Sequence, residues 1–348
     1  MKKQYKYLTA TLRLPNGKRK YVRGKTKEEL EKKLETLKRE LNLGIDISDE
    51  TTFREYADHW FRTTRSIGLK PQSTVRLERL MENYLYPIIG QMKLRDIKPA
   101  HIRTIMSSAS GLGRKSQSDL LSLMKAVFAL AVDDNIILRT PVSSTVKARG
   151  KNTEEAEPLT PEQEKALLTA AEGRRVYPAV FIILHTGLRF GELTGLMWSD
   201  IDYEGRVIHV RRHVVYVAGS KPFLEEGAKT DAGVRDIPMP DVLASYLKNL
   251  QRTTSSIFVF PNRKGQLYSH SAFSCLWSSL DKHAGFHTHP HQLRHTYATK
   301  LFEQGLDIKQ IQYVMGHADP SITLRIYTHY REESRRAKTI EQVCAAFA

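Results

Sequence analysis

Cysteine is almost missing from this chain of 348 residues: only Cys275 and Cys344 occur, far apart. Two distant thiols build neither a disulfide framework nor a thiolate zinc site, and they fit a reducing compartment. No apolar run is long enough to cross a bilayer. The charged start, Met1-Lys2-Lys3-Gln4-Tyr5, has no apolar stretch behind it. Neither a membrane anchor nor a secretory leader is therefore expected, and the chain is expected to be cytoplasmic and nucleoid-associated. A nucleotide-cradling loop is also missing, because Gly111-Leu112-Gly113-Arg114-Lys115-Ser116 misses the required spacing, which argues against ATP chemistry. The histidines at 283, 287, 289, 291 and 295 come without H-E-x-x-H, a cysteine pair or a carboxylate at ligand spacing, so no metal and no cofactor is expected. There is no internal repeat and no low-complexity tract. Acidic residues are the last scarcity: 38 Asp and Glu stand against 54 Lys and Arg, a net charge of +16. Such a balance calls for a polyanionic partner, nucleic acid or an anionic membrane surface.

Hydrophobic residues make up 41% of the chain and charged residues 26%, which suits a folded globular protein and excludes a disordered one. The positive charge is concentrated at one end. Residues 1–39 hold fourteen Lys and Arg against four Glu, a net +10. Within them Tyr5 to Leu14 has a strand pattern, Pro15-Asn16-Gly17 signals a turn, and Lys18 to Arg23 suits a second strand. Thr26-Lys27-Glu28-Glu29 is a capping box opening a helix to about Leu43. Residues 1–45 are thus expected to form a small basic sheet-plus-helix domain that binds DNA, the alternative being a solvated basic tail.

Residues 46–145 carry only helical periodicity. A capped helix follows Thr52. A second starts near Ser73 and ends at Pro87 and Gly90, a third follows Pro99, and a fourth carries Leu120 to Ala131. The polar run 143–157 suggests an interdomain linker. A last domain, 155–348, opens with Thr160-Pro161-Glu162-Gln163. It mixes helices with strands expected at Arg206–Val217 and Val234–Met239. The fold class expected is α+β, mainly α with small β elements.

The residue types that could do chemistry lie in this last domain. Arg189 stands between two glycines in Thr186-Gly187-Leu188-Arg189-Phe190-Gly191-Glu192, where backbone can approach closely. Glu192 lies three residues on, either to orient that cation or as an ordinary helix-start ion pair. His291 and Arg294 share one helix face at i and i+3. Lys229, in Gly227-Ala228-Lys229-Thr230, is read at the tip of a glycine-bounded hairpin. There it is either a solvated loop residue or a proton donor to a leaving oxygen. His317 follows Gly316, and Tyr327 comes ten residues later. A tyrosine hydroxyl is a weak nucleophile unless cations and proton acceptors converge on it, and the target such a cluster suits is a phosphodiester. Tyr330 is a rival nucleophile. So is Tyr313, although its helix favours packing.

At these residues the chain resembles the tyrosine recombinase (phage integrase) family: Arg189 in TGLRFGEL, Lys229 in GAKT, His291 and Arg294 in HQLRH, His317 in MGH, and Tyr327 in IYTH. The likeness covers about the last 190 residues, while the helical middle resembles the family's core-binding (SAM-like) domain and the basic start resembles the arm-binding domain of conjugative-transposon and lambda-like integrases. The resemblance implies a site-specific recombinase acting through a 3′-phosphotyrosyl intermediate and a Holliday junction. Its partners would be double-stranded DNA at core and arm sites, a homotetramer on that DNA, and an accessory excision factor or DNA-bending protein. The segment Ile340–Phe347 is amphipathic: the resemblance implies that it docks on a neighbouring subunit, and the alternative is a helix packed on its own domain. Type IB topoisomerase-like chemistry, an Xer-like resolvase and a catalytically silent DNA-binding regulator are the alternatives.

Overall fold

A computed structural model describes residues 7–14, 19–42, 50–151, 157–227 and 233–321, together with Leu324, Cys344 and Phe347. The chain forms two compact units, residues 1–154 and 155–348.

The first unit begins with an antiparallel pair, β1 (Leu8–Arg13) and β2 (Arg19–Gly24), in register from Leu8 opposite Gly24 to Arg13 opposite Arg19. Period-two alternation splits the pair. Val22 and Leu14 turn inward, and Leu14 packs with Leu12, Leu37 and Leu41, the last two from α1 (Lys27–Asn42). Thr9, Thr11, Arg13, Arg19, Tyr21 and Arg23 are exposed.

A helical core follows: α2 (Phe53–Trp60), α3 (Pro71–Leu80), α4 (Tyr86–Ile89), α5 (Pro99–Ser108) and α6 (Arg114–Asp133). Phe53, Leu85, Ile102, Leu120, Met124 and Phe128 are sealed from solvent. The capping box at Thr52 is present, with Glu55 returning to the Thr52 amide. Two features depart from the sequence reading. Pro87 does not end the second helix. A π-turn over Met81–Leu85 precedes it, and the helix resumes through Pro87 to Ile89. The wider turn places Pro87 at the start of a new helix, where a missing N–H costs nothing. The polar run after Ser143 is not a free linker as far as residue 151. The buried side chain of Gln117 donates to the carbonyls of Ala109 (3.0 Å) and Leu112 (3.2 Å) and accepts from the amides of Arg149 (2.8 Å) and Gly150 (3.0 Å). One amide side chain thus sews residues 149–150 onto the helices.

The second unit comprises α7 (Pro161–Ala171), α8 (Tyr177–Thr186), α9 (Phe190–Gly195), β3 (Ile201–Asp202), β4 (Val207–Val210), β5 (Arg212–Val215), β6 (Phe223–Glu226), β7 (Arg235–Pro238), α10 (Asp241–Arg252), α11 (His270–Ala284), α12 (Pro290–Glu303) and α13 (Ile308–Met315). Its strands form two antiparallel sheets, β3-β4-β7 and the hairpin β5-β6. The single strand expected over Arg206–Val217 is therefore two strands, parted at Arg211, whose carbonyl accepts the Gly227 amide at 2.7 Å. Alternation continues across the break, but the first half pairs with the distant β7 and the second with the next strand β6, and local pattern does not encode partner choice. The segment holding Lys229, expected at a hairpin tip, lies outside the described residues; only the strands on either side of it are described. β6 before it pairs with β5, and β7 after it pairs with β4, so these two flanking strands belong to different sheets. Ile183, Leu193, Ile208, Ile237, Leu243, Leu280 and Leu293 belong to one core, to which the β3-β4-β7 sheet contributes Ile201, Ile208, Val210 and Ile237.

Candidate active site

The site is organised by the C-terminal end of α13. A helix end leaves its last carbonyls without intrahelical partners and carries a partial negative charge. Gly316 takes the left-handed conformation there, φ +62°, and turns the chain so that its own amide bonds Tyr313 O (3.0 Å) and the His317 amide bonds Gln312 O (3.1 Å). Three successive carbonyls remain, and three arginines take them. Arg235 Nε donates to Val314 O (2.6 Å), Arg294 Nη2 donates to Met315 O, and Arg189 Nη2 donates to Gly316 O (2.7 Å). The three side chains come from β7, α12 and the cap of α9, segments far apart in sequence.

Arg189 ends the turn that begins at Gly187, whose φ of +64° caps α8. A Cβ at 187 would lie 2.5 Å from the Tyr297 ring, so glycine is required there twice over, by backbone and by space. Glu192 lies one turn inside α9 and receives the Arg189 amide (2.9 Å) and Nη1 (2.7 Å). Both readings of Glu192 are met in this geometry: it is the helix-start partner of the Arg189 amide in α9, and it also holds the Arg189 guanidinium. Arg189 keeps 37% of its side chain open to solvent. Arg294 is 1% exposed, and its other Nη donates to Gly187 O. Its charge is costly there because of burial and the neighbouring Arg189, and Glu192 offsets part of that cost.

Glu192 is itself buried, which alone would raise its pKa, yet Arg235, Arg189 and Arg294 together hold it down at about 2. It is ionised at any physiological pH. The histidines are pushed the other way. His317 is 4% exposed, and burial followed by Arg294, Arg189 and Arg235 lowers its pKa to about 3. His291 lies on the first turn of α12, with His295 and His289 at ring distances of 5.7 and 6.4 Å. Partial burial and then Arg294 lower it to about 4. Both imidazoles are therefore neutral at pH 7, able to accept one proton or to donate one hydrogen bond.

The structure thus brings Arg189, Arg294 and His317 to one helix end, with His291 on the helix that carries Arg294. Lys229, Tyr327 and its rival Tyr330 lie outside the described residues, as does the segment expected to dock on a neighbour, apart from Cys344 and Phe347. Tyr313, expected to pack, does not: it is 59% exposed on α13, because Ile311, Val314 and Met315 take that helix's buried face. One residue at the site escapes the sequence reading. Arg235 precedes Ile237 by two in β7 and shares its inward face. A charge on the buried face of an alternating strand is the signal that could have found it. Among the described residues no group of His, Cys, Asp and Glu could hold a metal ion, and no helix is long and apolar enough to cross a membrane.

Residues 157–334 match the phage integrase family, and residues 52–109 match its N-terminal SAM-like domain. A protein named tyrosine recombinase XerC-like from Caldanaerobacter subterraneus subsp. tengcongensis is 30% identical, over 94% of this chain and 93% of the relative. The transposase from transposon Tn916 of Enterococcus faecalis is 28% identical, over 95% of this chain and 86% of its own length. Among solved structures, the Tn1549 transposon integrase in complex with a circular intermediate DNA superposes with a TM-score of 0.71 and 26% identity, covering 84% of this chain and 100% of that one. A lambda integrase tetramer bound to a Holliday junction shares the fold, with a TM-score of 0.59 at 17% identity over 91% of each chain.

Proposed function

The chain belongs to the phage integrase family and is a tyrosine site-specific recombinase, and from that premise we propose that Tyr327 is the nucleophile with Arg189, Lys229, His291, Arg294 and His317 as its catalytic partners. Tyr327 Oη attacks the scissile phosphorus in line. The bond to the 5′-oxygen breaks, leaving a 3′-phosphotyrosyl ester and a free 5′-hydroxyl. His291, neutral at pH 7, takes the tyrosine proton, and Lys229 gives one to the departing oxygen. Arg189 meets a non-bridging oxygen where negative charge grows in the transition state. Arg294 meets the other, which requires its cover to part or one carbonyl bond to be exchanged. His317 donates a hydrogen bond to the same phosphate. The ester keeps the energy of the broken bond, so rejoining needs no ATP.

The observation that carries this reading is the convergence of Arg189 and Arg294 on consecutive carbonyls beside a neutral His317. By analogy with the lambda integrase tetramer on a Holliday junction, the protein works as a tetramer on two duplexes, with 46–145 and 155–348 holding the core site. The exposed sheet face of the basic module, Arg13, Arg19, Tyr21 and Arg23 among its residues, contacts separate arm sites. An excision factor or bending protein joins the complex, and Ile340–Phe347 docks on a neighbouring subunit. The test is a suicide substrate whose cleaved end diffuses away. Tyr327→Phe should bind DNA as the wild type does and form no covalent adduct, and the nucleotide-bearing peptide of the wild type should contain residue 327. An adduct that survives Tyr327→Phe and disappears in Tyr330→Phe would transfer the role to Tyr330.

A further inference from the structure

We infer that Arg235 is a positioning residue for DNA cleavage, acting through Glu192 to aim Arg189; the inference rests on the reading of Arg189 as a phosphate-binding residue. Its side chain is wholly buried, so it touches no DNA. Its donors are nonetheless committed. Nη2 and Nη1 fork onto the two oxygens of Glu192 (3.0 and 3.2 Å), Nη1 also donates to Gly233 O (3.0 Å), and Nε donates to Val314 O.

The fork matters because of what Glu192 does with its remaining capacity. Each of its oxygens accepts one bond from Arg235 and one from Arg189: Oε1 takes Nη1 of both, and Oε2 takes Nη2 of Arg235 and the Arg189 amide. A carboxylate bonded on one side can swing, whereas one forked from beneath has its plane fixed, and with it the direction of every remaining lone pair. Arg189 is held by that plane on one side and by Gly316 O on the other. Arg235 also bonds Val314 O, two residues before Gly316, so one guanidinium fixes both walls of the Arg189 seat. Its third contact, Gly233, follows directly on the segment that carries Lys229.

Burying a third arginine beside two others is costly. A leucine or methionine would fill the inward face of β7 beside Ile237 at less electrostatic cost. What an apolar residue cannot do is orient Glu192. Charge balance alone would be better served by no cation, since Arg189 and Arg294 already outnumber the single carboxylate.

The experiment compares Arg235→Lys, Arg235→Met, Glu192→Gln and Arg235→Met with Glu192→Gln in the full-length protein on a core-site suicide duplex. Lysine keeps the charge but cannot fork onto Glu192 and reach Val314 O together. Misaiming a phosphate contact by about 1 Å slows cleavage on the order of 100-fold. Both Arg235 variants should therefore lose about that much in single-turnover adduct formation, while the half-saturating DNA concentration moves less than about threefold. Glu192→Gln should lose a similar amount, and the double variant should be no slower than its slower parent, because the two residues act in series. A 5′-bridging phosphorothiolate, whose leaving group needs no proton, should recover none of the loss.

Multiplying losses in the double variant would overturn the inference. So would a loss confined to DNA affinity, or recovery on the phosphorothiolate, which would place Arg235 behind the proton donor instead. If both single variants are unfolded at the assay temperature, the residue serves folding and the inference also fails. Wild-type adduct formation and its loss in Tyr327→Phe test the nucleophile separately. The ratio of Arg235 variant to wild type is measurable whichever tyrosine reacts.

Discussion

Three guanidiniums and one carboxylate in a shared space carry two surplus positive charges, and this surplus adds to burial in lowering the pKa values of the neighbouring histidines. His291 and His317 have folded pKa values of about 4 and about 3, below the ordinary 6.5. As pH falls through 6.5 the unfolded chain takes up protons first, so both histidines withdraw stability progressively from about 6.5 down towards their folded values. Glu192, at about 2 against an ordinary 4.5, stabilises fully above 4.5 and loses that contribution as pH falls through 2. Between 6.5 and 4.5 the histidines therefore act without it. The thermal midpoint of the DNA-free protein should fall as pH is lowered from 7 to 5, and His291→Gln with His317→Gln should flatten that slope. A slope unchanged in the double variant would remove these two imidazoles from the account. A bound phosphate is an opposing charge that favours the protonated imidazoles. Binding a core-site duplex near pH 6 should thus take up protons, read as a dependence of the calorimetric heat on the buffer's ionisation enthalpy. Motif spacing makes Arg189, Glu192, Arg294 and His317 legible in the sequence, because glycines and an i, i+3 pair mark where a backbone admits a side chain. Arg235 is not legible in that way. Its partners, Glu192 and Val314, are 43 and 79 residues away, and only the fold joins them.

Helices are legible where periodicity is long and caps are explicit. The capping boxes at Thr52 and Thr160 are both present, with Glu55 and Gln163 returning to the cap amides. Strand pairing is poorly legible, since β4 and β5 run on in one alternating stretch and separate only through their partners β7 and β6. The segment 149–150 shows the same limit. Besides the bond from the Arg114 amide to Lys151 O, it is attached by Gln117, a polar residue on the buried side of α6 that periodicity treats as a mismatch. Gln117→Leu keeps the volume and leaves the amides of Arg149 and Gly150 without that acceptor. At about 1–3 kcal/mol for each of the two amides left unsatisfied, the substitution should cost roughly 2–6 kcal/mol in denaturant unfolding. The first proteolytic cuts should then fall within 143–151. A loss under about 0.5 kcal/mol, with no new cleavage, would mean that these residues are held by something else. Gly187→Ala tests the other critical junction. The left-handed backbone alone costs about 1–2 kcal/mol with a Cβ, and the Tyr297 ring must also move. Because the Gly187 carbonyl is a partner of Arg294, cleavage should fall by more than the lost stability explains. Equal adduct formation at a temperature where both proteins are folded would show that the turn merely connects α8 to α9.

Across the whole chain the positive charge is lopsided: residues 1–39 supply a net +10 of the total +16. That asymmetry makes salt the natural probe of how the basic module is used. Each phosphate neutralised adds about 0.9 to the slope of log K against log salt, so a module that touches backbone leaves a countable signature. Arg13, Arg19 and Arg23 lie on the exposed side of β1 and β2, opposite the side on which Leu14 and Val22 are buried. Their replacement by alanine removes charge without opening the small core against α1. On a duplex carrying both core and distal sites, the triple variant should lower the salt slope by about 3 if each arginine meets one phosphate. On a duplex with the core site alone, the slope and the rate of adduct formation should match the wild type. Deleting residues 1–45 should reproduce both results. If the triple variant and the wild type give the same slope on the long duplex, the exposed arginines do not touch DNA, and the basic module owes its charge to something other than arm-site binding. If the core-site slope drops as well, the module contacts core-site DNA, and the division of labour between distal and core sites has to be redrawn.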